Sequence, residues 1–81
     1  MSGHDLVLYF KPTCPFCNKV LSFMQEKNIR IPSKNIDASS ETRQELKTIG
    51  GKQQVPCLVI DGQAMYESDD IIHWLDEHFE R

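Results

Sequence analysis

The chain has 81 residues, a formal net charge of −3 and three cysteines. That length accommodates one small domain, 1–81, which buries about 60–65 % of its unfolded surface and leaves no room for a second core. The mild acidity and the absence of a basic run exclude a nucleic-acid footprint, and no apolar stretch approaches the roughly 18 residues of a membrane span.

In chain order the expected elements are strand 5–10, helix 15–27, strand 30–36, helix 40–49, strand 57–60, strand 63–66 and helix 69–79. Leu6-Val7-Leu8-Tyr9-Phe10 is a short apolar and aromatic run, the pattern of a buried strand. After Cys17 the period changes: Val20, Leu21 and Met24 share a helical face with Cys17, while Lys19, Ser22, Gln25 and Glu26 point elsewhere. Cys14-Pro15-Phe16-Cys17 therefore sits where a strand hands over to a helix.

Two cysteines at this spacing can hold a metal or a reversible disulfide. A tetrahedral thiolate site needs a second ligand pair. Cys57 stands alone, and His4, His73 and His78 form no grouping near another cysteine. No metal is expected, and redox chemistry is the leading reading.

The helix start supplies unpaired N–H groups and the positive end of a dipole. Pro15 suits the first helical position, having no N–H to leave unbonded. Cys14 is then the cap residue, its sulfur facing the amides of Phe16 and Cys17. Helix-start cysteines in Cys-x-x-Cys pairs have depressed pKa values, and Lys11 adds a nearby positive charge. Cys17, one turn deeper on the same face, is less exposed and less acidified. Cys14 is assigned as nucleophile and Cys17 as resolving thiol; the competing reading is two buried structural cysteines.

Pro32 stands near the start of the second strand, Gly50-Gly51 ends the second helix, and Asp61-Gly62 between apolar runs is a two-residue hairpin signal. The first three strands, joined through helices, are expected to be parallel or mixed, with the hairpin adding an antiparallel edge. In the last helix Ile71, Ile72, Leu75 and Phe79 share one face with Trp74 beside it, a core stripe. Ser68-Asp69-Asp70 opens that helix, either as a simple cap with dipole-favoured acids or as an anion site in which the amides of Ser68 and Asp69 hold a carboxylate. In the second case the Asp69 side chain takes an adjacent ammonium, as an α-amino acid head group requires. Pro56 cannot donate to a ladder and is expected at a strand's mouth. Cys57 reads as a small buried strand residue rather than a third redox thiol.

A strand, then Lys11-Pro12-Thr13-Cys14-Pro15-Phe16-Cys17, then Val55-Pro56 before a strand, then Ser68-Asp69-Asp70 opening the last helix, resembles a glutaredoxin of the thioredoxin superfamily, and the match in order and spacing covers nearly the whole chain. The Trp-Cys-Gly-Pro-Cys of thioredoxins is absent. Gln54-Val55-Pro56 with the later Glu67-Ser68 is also similar to the glutathione-binding domain of glutathione S-transferases, where Glu67 and Ser68 would contact the γ-glutamyl carboxylate. The resemblance implies an α/β, thioredoxin-like fold: a four-stranded mixed sheet with three helices in the order β-α-β-α-β-β-α. It also implies a cis bond at Pro56 facing the cysteines.

By the same resemblance the activity is glutathione-dependent reduction of protein disulfides and glutathione mixed disulfides, with glutathione as reductant. Lys11 and Arg43 would meet the glycine carboxylate, assisted by Gln53 or Gln54. Val55, before Pro56, would hold the cysteinyl backbone, and Ser68 and Asp69 the γ-glutamyl end. Phe16 replaces a common tyrosine and would pack beside the bound sulfur. The expected partners are glutathione and disulfide-containing or glutathionylated proteins, with no nucleic acid and no membrane. Met1-Ser2-Gly3-His4-Asp5 lacks the features of a signal peptide, so a monomer in the cytoplasm is expected, a compartment in which cysteines serve transient catalytic disulfides. Two alternatives stand beside this: an electron donor reduced by thioredoxin reductase, and a module in which two chains and two glutathiones hold an iron–sulfur cluster through Cys14.

Overall fold

The computed structural model of the chain describes residues 5–79; of the N-terminal segment read for a signal peptide, residues 1–4, His4 included, lie outside the described residues, as do 80 and 81. The elements run β1 (Leu6–Phe10), α1 (Pro15–Glu26), β2 (Ser33–Asn35), α2 (Ser40–Gly50), β3 (Cys57–Ile60), β4 (Gln63–Met65) and α3 (Ser68–Phe79). They build one four-stranded sheet in the order β2-β1-β3-β4. β1 pairs parallel with β2 and antiparallel with β3, and β3 pairs antiparallel with β4. The mixed sheet and the element order match the sequence-based expectation.

Period-2 alternation sorts the strand residues onto two faces. Leu8 and Leu58 join Val20, Met24, Ile71 and Leu75 in a core between the sheet and α1 with α3. Tyr9, Cys57 and Val59 point the other way and pack with Ile36 and Leu46 beneath α2. Leu46 is the sole buried residue of α2, so that helix is fixed to the sheet through one fully enclosed side chain. In α3, Ile71 and Leu75 are buried, with Ile72, Trp74 and Phe79 packed partly exposed around them.

Where boundaries differ from expectation, local chemistry explains it. β2 was expected over 30–36 and occupies only Ser33–Asn35. At one end Pro32 has no N–H to extend the ladder, and its carbonyl accepts the Leu8 N–H at 2.9 Å. At the other the Asn35 side chain accepts the Asp37 N–H at 2.8 Å, a local turn that ends the strand. β4 stops at Met65 rather than 66, and Tyr66 lies across Gly50, where a Cβ would run into its ring and hydroxyl. α2 ends with Gly51 in the left-handed region at φ 82°, its N–H bonded to the Lys47 carbonyl at 2.7 Å. Asp61 and Gly62 both have positive φ, as a type I′ hairpin turn requires.

Candidate functional site

The site grows from the end of β1. The chain leaves Phe10 and turns through 11–13, and the Cys14 N–H closes that turn on the Lys11 carbonyl at 3.1 Å. Cys14 keeps extended backbone angles, φ −90° and ψ 119°, and Pro15 follows at the first position of α1. The Cys14 carbonyl accepts the first helical bond, from Asn18 N–H at 3.0 Å. The Asn18 side-chain amide reaches back to the Pro12 carbonyl at 3.5 Å. Turn and helix thus hold the Cys14 sulfur at the positive end of α1.

The two thiols end in opposite conditions. Cys17 is fully buried beside Val20 and Met24 on the inner face of α1, whereas Cys14 is half-buried. Burial raises the Cys14 pKa, but the Cys17 N–H and thiol, the Phe16 N–H and the Lys11 charge outweigh it, leaving Cys14 below the ordinary thiol value. The thiol makes no capping hydrogen bond of regular geometry, so the two amides act on it as oriented dipoles rather than as a formal cap. Burial pushes Cys17 up to about 12, and the neighbouring Cys14 adds to that rise. The same helix start thus shifts the two sulfurs in opposite directions, Cys14 down and Cys17 up.

Val55 approaches the pair from the β3 side. The Val55-Pro56 bond is cis, as the resemblance implied, and the Val55 carbonyl lies 3.9 Å from Cys14 Sγ. Pro56 is buried at the entrance to β3. Cys57 follows directly, but the alternation of β3 turns it to the opposite face, with Tyr9 and Leu46. There burial pushes its thiol up to about 11, which agrees with the reading of a small buried strand residue.

The remaining residues singled out from the sequence surround this centre at different distances from the chemistry. Lys11 is half-buried in the turn, and its charge reaches both thiols. Phe16, on the first turn of α1, is 61 % exposed, the most exposed large apolar side chain among the described residues. Arg43 projects from α2, its Nε donating to the Ile36 carbonyl at 3.2 Å. Gln53 and Gln54 are exposed in the segment between α2 and Val55. At the start of α3 the Glu67 carbonyl accepts the Ile71 N–H at 2.9 Å, and Ser68 and Asp69 form the first turn. The Asp69 carboxylate meets Lys19 Nζ at 2.6 Å. Sequence reasoning left Lys19 on the outer face of α1; nothing in the local pattern signals a partner fifty residues later, because helix packing alone brings α1 and α3 together.

Two surface grooves lie along other seams, one between α1 and β2 and one beside α2, and neither is lined by Cys14 or Cys17. Of the two thiols, Cys14 is the one partly open to solvent, Cys17 being enclosed.

Residues 8–81 match the family model described as glutathione S-transferase, N-terminal domain. The chain belongs to that thioredoxin-like family. This glutathione S-transferase N-terminal-type domain has glutaredoxins among its curated relatives. It is 33 % identical over 58 residues to an uncharacterized glutaredoxin-like 8.6 kDa protein in the rubredoxin operon of Clostridium pasteurianum, covering 72 % of this chain and 77 % of that protein. It is 30 % identical over 67 residues to glutaredoxin 3 of Escherichia coli K12, covering 83 % of this chain and 81 % of the relative. Among solved structures, glutathione transferase Omega 3C from Trametes versicolor superposes with a TM-score of 0.79 at 31 % identity, covering 93 % of this chain. The domain spans only 34 % of that transferase, whereas it spans most of each glutaredoxin. Both branches of the resemblance read from the sequence are present in these matches.

Proposed function

We propose that the chain is a glutathione-dependent thiol–disulfide oxidoreductase of the glutaredoxin type, acting as a cytoplasmic monomer on protein disulfides and glutathione mixed disulfides. The observation that carries the reading is the contrast between a half-buried, acidified Cys14 and a fully buried Cys17 pushed up to about 12. A low-pKa thiol is a strong candidate for attack at neutral pH and a good leaving group afterwards.

With a glutathionylated protein, the Cys14 thiolate attacks the glutathione sulfur, the S–S bond breaks, and the protein thiolate departs and takes a proton. A second glutathione thiolate then attacks the glutathione sulfur held on Cys14, releasing oxidised glutathione and regenerating the Cys14 thiolate. With a protein disulfide, Cys14 forms a mixed disulfide with one substrate sulfur. Cys17 attacks the Cys14 sulfur, its proton ending on the departing substrate thiolate, and two glutathiones return the closed pair to dithiol while becoming oxidised glutathione.

The tripeptide has a polar end for each part of the surface. Its glycine carboxylate is assigned to Lys11 and Arg43 with Gln53 or Gln54. Its cysteinyl backbone is assigned to the Val55 N–H and C=O, which face an extended peptide as an edge strand would. Pro56 and Phe16 flank the sulfur. The γ-glutamyl end goes to Glu67, Ser68 and Asp69 at the α3 N-terminus, where helix amides favour an anion.

Two variants test the route. Cys14→Ser is expected to abolish reduction of both substrate types, while Cys17→Ser keeps reduction of glutathione mixed disulfides and loses reduction of protein disulfides. Loss of both activities in Cys17→Ser would sink the monothiol step. Reduction of the oxidised protein, followed by NADPH consumption, separates the reductants: turnover with thioredoxin reductase but none with glutathione and its reductase overturns glutathione dependence.

A further inference from the structure

The Asp69 carboxylate, assigned above to the ammonium of a γ-glutamyl group, already has a cation on it. Lys19 Nζ stands 2.6 Å from Asp69 Oδ1, with both side chains largely open to solvent, 53 % and 84 % exposed. The pair bridges α1, whose first turn carries the thiols, and α3, whose first turn carries Ser68 and Asp69. Glu67, Asp69 and Asp70 make this end of α3 acidic, and all three are exposed. An incoming α-carboxylate therefore meets three like charges as well as the helix amides.

Neutralisation of Asp69 by Lys19 changes what the subsite selects. A simple amine gains little from a carboxylate that is already paired. A zwitterionic α-amino acid offers both charges at once: its ammonium can share Asp69 while its carboxylate takes Lys19. An exposed ion pair is worth little by itself, so opening it to admit the zwitterion costs little. We propose that Lys19 is a specificity residue for the γ-glutamyl head group, binding its α-carboxylate beside the ammonium on Asp69. The inference rests on the glutathione-dependent reading and adds to it a residue on α1.

The test is steady-state reduction of two mixed disulfides of one peptide thiol, one with glutathione and one with cysteinylglycine, which lacks the γ-glutamyl group. Lys19→Gln is expected to raise KM for the glutathione substrate about three- to fivefold, in the range of a lost exposed ion pair, with kcat unchanged. KM for the cysteinylglycine substrate stays level, and Lys19→Arg restores the wild-type KM for glutathione. The KM effect shrinks as salt is raised, because the contact is solvent-exposed. An unchanged KM in Lys19→Gln overturns the assignment, as does an equal rise for both substrates, which marks a general loss of helix packing. Wild-type protein that reduces neither glutathione nor cysteinylglycine mixed disulfides overturns the glutathione reading itself, and the role of Lys19 falls with it.

Discussion

Cys14 and Cys17 are separated by a single helical turn, and their acidities diverge because one sulfur faces helix amides and Lys11 while the other is enclosed by core. For an acid with a depressed pKa the ionised form appears at lower pH. The rate of Cys14 alkylation by iodoacetamide in the reduced protein should therefore rise through a midpoint below the ordinary thiol value of 9.0. Cys17 and Cys57 should stay unreactive in the same range. Lys11→Met should move the Cys14 midpoint upward, since it removes a charge that favours the thiolate; an unchanged midpoint would show that the amides and the Cys17 thiol acidify the sulfur without it. The lower acidity threshold of Cys14 was legible in Cys14-Pro15-Phe16-Cys17, because a helix start is a local property and the dipole acts within a turn. The extent to which Cys17 resists ionisation was not, since it depends on enclosure by distant elements.

α2 shows how little can hold an element in place. Its termini are set locally: Ser39 Oγ accepts the Thr42 N–H at 3.3 Å, and Gly51 closes the other end at φ 82°. Its apolar attachment is Leu46, fully buried with Tyr9, Cys57 and Val59, beside polar contacts from Arg43 to the Ile36 carbonyl and from Tyr9 to Glu45. Leu46→Ala should cost about 2–5 kcal/mol, measured by urea unfolding, from lost transfer energy and the cavity left behind. Gly51→Ala has open space around it but a left-handed backbone that side chains resist, and at least about 1 kcal/mol of destabilisation is expected. In a chain of this size that amounts to roughly 4–8 °C in Tm. A Gly51→Ala variant as stable as the parent would mean that the turn relaxes to another conformation. At this scale the hairpin at Asp61-Gly62 was readable because two residues determine its geometry. The length of β2 was not: the strand expected over 30–36 shortens to Ser33–Asn35, although Ile31 and Ile36 on either side are buried. Ile31 packs into the core under α1 and α3 and Ile36 into the one under α2, with the Ile36 N–H still bonded to the Phe10 carbonyl, while Pro32 and Asn35 set the strand's ends.

The whole molecule puts the sheet between α1 with α3 on one face and α2 on the other. Cys57 belongs to the α2 face, and this has a consequence for stability. Its folded pKa lies near 11 against an ordinary 9.0. For an acid raised on folding, the unfolded chain ionises first, so its contribution is fully present below about pH 9 and is lost as pH rises toward 11. Cys57→Ala should lower stability at neutral pH by emptying a buried site, yet flatten the decline between those pH values when both proteins are followed by urea unfolding. Parallel pH profiles for parent and variant would show that Cys57 does not titrate on unfolding.

The sequence by itself determined what is written within a few residues: the strand-to-helix turn with its acidified cysteine, the alternation that gives each strand two faces, the hairpin, and the apolar stripes of α1 and α3. Each follows from backbone geometry and side-chain period, which need no distant partner. Only the tertiary structure decided that β3 runs antiparallel beside β1, that Val55 brings its carbonyl to Cys14, that Cys57 turns away from the thiol pair, and that Lys19 meets Asp69. Those are contacts between residues tens of positions apart, fixed by which faces must be buried together, and burial is a property of the assembled chain.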